Sequence, residues 1–136
     1  MNSKKVNWLK AFLGFLAAFL VIDGFWISIY ALQLYKDQIG GLLAEQPKMG
    51  IACLFYLGYA AAAVRLIVMP STSIAQASLN GAILGAAAYG TYAVTNYAML
   101  TGWAPSLLYI DTLWGAAVTA ACCAVSYQVA LVGKQN

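Results

Sequence analysis

The sequence contains no histidine and very little charge. Only seven Lys/Arg and four Asp/Glu residues occur among 136, so charged residues make up 8% of the chain. Without histidine, His-ligated haem, the common zinc sites and acid–base catalysis by an imidazole are excluded. The charged fraction lies far below the roughly 25% of soluble domains, and so little polar surface could not cover a fold in water. We therefore expect lipid to be the solvent of this chain.

Cysteine is scarce as well, and the three cysteines lie in apolar runs. The odd count disfavours a disulfide framework. Cys122 and Cys123 are adjacent and point about 100° apart on a helix, so neither a disulfide nor a shared metal between them is expected. The basic residues form no run and show no alternation with aromatic residues, which disfavours a nucleic-acid partner. The sequence therefore predicts no catalytic residue, no metal and no cofactor.

Apolar residues are abundant and fall into four long runs. A helix needs about 20 apolar residues to cross a bilayer. Four segments meet this requirement, at about residues 8–35, 49–69, 74–100 and 107–132. Pro47, Pro70 and Pro105 fall at the boundaries rather than in helix interiors, and Ser71, Thr72 and Ser73 are candidate N-caps of the third helix. We predict an all-α polytopic membrane protein in which residues 1–136 form one domain, a four-transmembrane-helix antiparallel bundle.

The basic residues also predict an orientation, because Lys and Arg favour the cytoplasmic side. Both ends in the cytoplasm would place five basic residues inside, namely Lys4, Lys5, Lys10, Arg65 and Lys134, and would leave Lys36 and Lys48 outside. Arg65 lies about one turn from the cytoplasmic end of its helix, where a long side chain reaches the interface. The N- and C-termini are therefore predicted to be cytoplasmic.

Small residues are frequent in the last three segments, and the third contains Gly81-x-x-x-Gly85. Such stretches let helix backbones approach closely in lipid. Two interpretations stay open at this point. The small residues can pack helices together within the bundle, or they can form a contact between copies in a homo-oligomer.

Two carboxylic acids interrupt the apolar segments. An aspartate at the centre of a membrane helix costs about 2.5–3.5 kcal/mol, so Asp23 and Asp111 need an explanation. Each is followed three residues later by a tryptophan on the same helix face. The third helix offers side chains that can donate hydrogen bonds to a carboxylate. The predicted polar group comprises Asp23, Trp26, Tyr89, Tyr92, Thr95, Asn96, Asp111 and Trp114.

Counting residues from the helix ends places this polar group in the outer half of the bundle. One interpretation is structural, with the polar side chains joining helices at about 0.6 kcal/mol per contact. The other is functional, because intramembrane acids usually face a cavity or pathway. In that case membrane lipid or a small amphiphile would bind, with proton-linked transport through the two aspartates. A membrane enzyme or accessory subunit acting on lipid, and a structural or assembly subunit, are the alternatives.

The motifs around these residues resemble a bacterial family of predicted membrane proteins, domain of unknown function 2177. The resemblance covers nearly the whole chain and rests on the stretches Ile22–Trp26, Leu54–Ala60, Tyr89–Asn96, Gly102-Trp103 and Asp111–Gly115. It implies the bacterial inner membrane, and genes of similar proteins neighbour those of fatty-acid-modifying enzymes, which implies a link to lipid modification. Ala93 stands where the family pattern leads us to expect an acid, so a mechanism with three buried acids is not expected here.

Overall fold

A computed structural model describes residues 6–131, which form four long helices and no β-strand. Helix α1 comprises Trp8–Leu42, α2 Met49–Val68, α3 Ile74–Met99 and α4 Pro105–Leu131. The prediction of an all-α fold is confirmed. Three of the basic residues in the charge argument, Lys4, Lys5 and Lys134, lie outside the described residues, as does the expected end of the fourth helix at residue 132.

Among the described helices, α1, α2 and α4 are long and apolar enough to cross a membrane. Helix α3 has 26 residues, which is sufficient in length, but it is not among these three because it is less apolar. Its polar side chains include Gln76, Asn80 and Asn96.

The helix ends follow local signals. The Ser73 hydroxyl accepts a hydrogen bond from the backbone amide of Gln76 at 3.1 Å and thereby caps α3. Pro105 occupies the first position of α4. Helix α1 continues beyond Tyr35, where the sequence predicted its end. The polar residues that follow Tyr35 are compatible with a helix, and the chain leaves α1 only at the 3₁₀ turn Gly40–Leu42.

Helices α1 and α2 each contain one wide π-helical turn. In α1 it spans Ile27–Ala31, and the amide of Leu32 donates to the carbonyl of Ile27, five residues earlier. In α2 the turn spans Val64–Val68, with the corresponding bond from Met69 to Val64 at 2.9 Å. Such a turn accommodates one residue more than an α-helical turn and so rotates the rest of the helix by about 100°.

Helix α4 lies at the centre and contacts α3 along its length. The two helices are antiparallel, because Gly81 faces Thr119 and Cys123, Gly85 faces Gly115, and Gly90 faces Thr112. A Cβ atom added at Gly85 would lie 2.0 Å from the carbonyl oxygen of Gly115. The small residues of α3 therefore serve packing within the chain, which is one of the two uses that the sequence allowed.

Helix α1 packs on the other side of α4, and two buried hydrogen bonds join the core. The Ser126 hydroxyl donates to the Ala11 carbonyl at 2.6 Å, and the hydroxyls of Tyr59 and Thr119 lie 2.8 Å apart. The second half of α2, from Tyr59 onward, contributes buried side chains to this core. In its first half, residues 49–58, only Ala52 and Tyr56 are even half-buried. The first half of α2 thus stands away from the other helices.

Candidate functional site

A cavity of about 510 Å³ lies where the first half of α2 stands away from the bundle. All four helices line it, and in each the lining residues lie toward the end of the bundle that carries the connections 43–48 and 100–104. The lining comprises Asp23, Trp26, Ile27, Ala31, Leu32 and Tyr35 of α1; Ile51, Ala52, Phe55 and Tyr56 of α2; Ala88, Tyr89 and Tyr92 of α3; and Asp111 and Trp114 of α4. Small-molecule sites commonly have volumes of about 300–1,000 Å³.

Asp23 is held between two helices by aromatic donors. Asp23 is 7% exposed. The indole nitrogen Nε1 of Trp114 donates to Oδ1 at 3.0 Å, and the Tyr56 hydroxyl donates to Oδ2 at 3.3 Å. Each carboxyl oxygen thus has one donor, from α4 and from α2 respectively. This arrangement offsets part of the cost of burying the acid.

Asp111 is held in a similar way from α1. It is 4% exposed, and its Oδ2 accepts a hydrogen bond from the Tyr35 hydroxyl. Tyr92 of α3 lines the same side of the cavity. The two acids therefore border one cavity and accept hydrogen bonds from neutral donors.

The two tryptophans that follow the acids meet face to face. The rings of Trp26 and Trp114 lie 4.2 Å apart between centroids, with only 9° between their planes. Trp114 is fixed at its nitrogen by Asp23 and at its face by Trp26. The sequence spacing of three residues predicted that each tryptophan shares a face with its own acid; in the structure Trp114 also crosses to the acid of the other helix.

Six of the eight residues that the sequence grouped together line the cavity: Asp23, Trp26, Tyr89, Tyr92, Asp111 and Trp114. Thr95 and Asn96 do not. The Thr95 side chain is exposed, and its hydroxyl donates to the Thr91 carbonyl of its own helix at 2.6 Å. Asn96 is half-buried, about five residues beyond the level at which α3 faces Asp111, as judged from the contact of Gly90 with Thr112. Five residues correspond to roughly 7.5 Å along a helix.

Tyr35 and Tyr56 donate to the acids, although neither belongs to the polar group predicted from the sequence. Tyr35 lies at the predicted end of the first apolar segment, a position typical of an aromatic residue that anchors a helix at the membrane interface. In an uninterrupted α-helix, Tyr35 would point about 120° away from Asp23, whereas the extra residue in the Ile27–Ala31 turn reduces this difference to about 20°. No sequence signal marks that turn. Tyr56 lies in the stretch Leu54–Ala60, which is one of the motifs of the family resemblance. That motif was the one feature of the sequence that could have indicated a role for Tyr56 in the site.

Nothing in residues 6–131 gathers three or more His, Cys, Asp or Glu side chains into a metal site. Cys122 and Cys123 are buried, Cys53 is exposed, and all three are free thiols. The cavity therefore offers carboxyl, hydroxyl and indole groups for recognition, together with apolar side chains for contact with a chain or ring.

The sequence model of a family described as "Predicted membrane protein (DUF2177)" matches residues 8–128. The match includes every residue that lines the cavity. No curated protein matches the sequence. No solved structure matches it.

Proposed function

The chain belongs to the DUF2177 family of predicted membrane proteins, which confirms the resemblance seen in the sequence, and on this premise we propose that it binds a small amphiphile inside the membrane. The observation that supports the proposal most directly is a cavity of about 510 Å³ with two buried carboxyls at its wall and apolar side chains around them. An amphiphile carries the matching combination of a polar head and an apolar chain. A cavity of this size holds a head group with part of one chain.

The ligand reaches the cavity sideways from the lipid. The rim between α1 and the first half of α2 consists of exposed apolar side chains, Ile27, Leu32, Ile51 and Phe55. Phe55 is 60% exposed and Ile51 69%. In a bilayer these side chains lie against acyl chains, so the gap beside α2 connects the cavity to the hydrocarbon layer.

We further propose that all four helices cross the bacterial inner membrane. Helix α3 contacts α4 from Gly81 to Gly90, and α4 is apolar enough to span. Two antiparallel helices in contact over this length occupy the same layer. With both ends of the chain in the cytoplasm, the connections 43–48 and 100–104 face outward, and the cavity lies in the outer half of the membrane.

The two acids receive the polar head and exchange protons as the ligand binds and leaves. Their partners Trp114, Tyr56 and Tyr35 are neutral donors, so a proton or a cation can neutralise each acid without breaking an ion pair within the protein. Such exchange is the chemistry that proton-linked transport requires.

A cavity-filling variant tests the proposal. Ala52 of α2 lines the cavity, so Ala52→Phe places a ring in it. Ala62 lies in the same helix with an exposed side chain, and Ala62→Phe is the matched control. Each variant is purified in a mild detergent, and native mass spectrometry reads the amphiphiles that stay bound. We expect retention in the parent chain and in Ala62→Phe, and loss in Ala52→Phe. Equal retention in all three proteins would overturn the proposal.

A further inference from the structure

The charges around the cavity indicate what kind of head group it accepts. None of the residues that line it is Lys or Arg. The basic residues among positions 6–131 are Lys10, Lys36, Lys48 and Arg65, and all four are exposed. An anionic head, such as a carboxylate, sulfate or phosphate, would therefore meet two buried acids and no counter-charge. Burying like charges together without a partner is strongly unfavourable.

The aromatic side chains at the cavity favour a positive head. Six aromatic residues other than Phe55 line it, four tyrosines and two tryptophans. The face of an aromatic ring attracts a cation, most strongly for an organic ammonium that sheds its water easily. The stacked pair Trp26–Trp114 lies in the cavity wall, and the indole nitrogen of Trp114 is bonded to Asp23. A carboxylate next to aromatic faces is an arrangement that suits an amine or a quaternary ammonium.

The donors already bound to the acids fit the same interpretation. Tyr56 and Trp114 donate to Asp23, and Tyr35 donates to Asp111, which are bonds that an ionised carboxylate accepts. These bonds orient the acids, and the cavity wall holds no positive partner for either of them in its ionised form. A cation supplied by the ligand would complete the charge balance at this depth.

We propose that the amphiphile bound in this cavity is an organic cation, an amine or quaternary ammonium attached to an apolar chain and carrying no anionic group. This inference rests on the proposed binding function and names the class of ligand. Asp23 and Asp111 hold the positive head, the aromatic side chains of the cavity wall contact it, and the apolar chain leaves between α1 and α2.

Three probes that share a decyl chain test the head-group preference: decyltrimethylammonium, decyl maltoside and decyl sulfate. The protein is placed in phosphatidylglycerol nanodiscs, which contain no ammonium head. Trp8→Phe and Trp103→Phe leave the two cavity tryptophans as the only tryptophans, and their emission, excited at a wavelength that tyrosine does not absorb, reports binding. The Ala52→Phe variant on this background measures partition of each probe into the lipid, which is subtracted.

We expect decyltrimethylammonium to bind at least about tenfold more tightly than decyl maltoside, and decyl sulfate to show no saturable binding. Asp23→Asn and Asp111→Asn together should bring the first two affinities together, because the amides keep the size of the side chains but not their charge. Asp37→Asn changes an exposed acid outside the cavity and should leave the preference intact. The decisive value is how the ratio of the two affinities, for decyltrimethylammonium and for decyl maltoside, changes from one variant to another. The lipid surface concentrates cations equally for all variants, so its effect cancels in this comparison.

Three outcomes contradict different statements. Equal or weaker binding of the cation than of the maltoside, with saturable binding sensitive to Ala52→Phe, refutes the cationic class but leaves amphiphile binding in place. Absence of saturable binding for all three probes contradicts the proposed function itself. A cation preference that survives both Asp→Asn changes refutes the role of the acids. If the doubly substituted protein does not fold, Asp23→Asn and Asp111→Asn are compared singly with the parent chain, and the class is refuted if neither change lowers the cation preference.

Discussion

A methyl group added at Gly85 should separate α3 from α4. The added Cβ would lie 2.0 Å from the Gly115 carbonyl oxygen and 2.6 Å from its carbon. Ordinary contact begins at 3.4 Å, so the helices must move apart by about 1.4 Å, the difference between 3.4 and 2.0. The obstructing atoms belong to the backbone and cannot rotate away. Overpacking of this kind costs about 1–3 kcal/mol, and a rigid neighbour favours the upper end.

Helix propensity acts in the opposite direction, because alanine is better than glycine in a helix by up to about 1 kcal/mol. Gly58 provides the control, since nothing lies within 4 Å of a Cβ built there. Gly81 is intermediate, because its closest neighbour is the Cys123 sulfur at 2.9 Å, a side-chain atom that can shift. The expected order of stability is therefore Gly58→Ala first, Gly81→Ala second and Gly85→Ala last.

Unfolding in mixed micelles of dodecyl maltoside and dodecyl sulfate measures these differences as the sulfate fraction at the midpoint. We expect Gly85→Ala to lose about 3 kcal/mol relative to Gly58→Ala, because the gain in helix propensity is common to both and cancels. Tyr89 lies over Gly115 and also lines the cavity, so separation of the helices should also weaken binding there. If Gly85→Ala is as stable as Gly58→Ala, the close packing of α3 on α4 is wrong.

The other predictions concern single contacts and the orientation. Tyr35→Phe should cost about 0.6–1.7 kcal/mol of unfolding free energy by removing the donor to Asp111, whereas Tyr30→Phe, at an exposed position, should cost almost nothing; equal losses in micelle unfolding would refute the Tyr35 contact. Deletion of Ile29 should convert the wide turn to an α-helical one and keep Tyr35 facing Asp111, because the helix then no longer has to absorb an extra residue, so that Tyr35→Phe should cost as much on the shortened chain as on the parent; loss of that effect would contradict this. Tyr59→Phe should lose the contact with Thr119 at a similar cost of about 0.6–1.7 kcal/mol, and Tyr97→Phe, exposed at 47%, should not. An impermeant thiol reagent applied to intact cells should label Glu45→Cys but not Thr72→Cys above the level of the parent chain, and the reverse pattern would invert the proposed orientation.

The sequence was sufficient to predict the helical fold and the inward position of both acids. Apolar runs long enough for a membrane-spanning helix, prolines at their boundaries and the spacing of Asp23 with Trp26 are local features. Their structural consequences do not depend on how the helices pack together. The burial of Asp111 follows for the same reason, since an acid in an apolar helix has few favourable places to lie.

The remaining features depend on how the helices are aligned with one another. Counting from helix ends placed Asn96 level with Asp111. The contact of Gly90 with Thr112 instead puts Asn96 about five residues beyond the level of Asp111. The same limit applies to Tyr35, whose direction depends on the Ile27–Ala31 turn. Hydrophobic periodicity gives the face of a helix, and it does not give the relative height of two helices or the position of a single extra residue.

The wide turn in α1 also affects how members of the family should be compared. A relative that lacks one residue between positions 27 and 31 would have an uninterrupted helix there, and every later side chain of α1 would keep the direction it has here, because the wide turn absorbs the extra residue. A relative of the same length without the wide turn would instead have those side chains rotated by about 100°, and a tyrosine aligned with Tyr35 would point away from the fourth helix. A gap in this short segment of an alignment therefore preserves the side chains that meet the buried acid, whereas a regular helix without a gap changes them, even where the neighbouring motifs are identical.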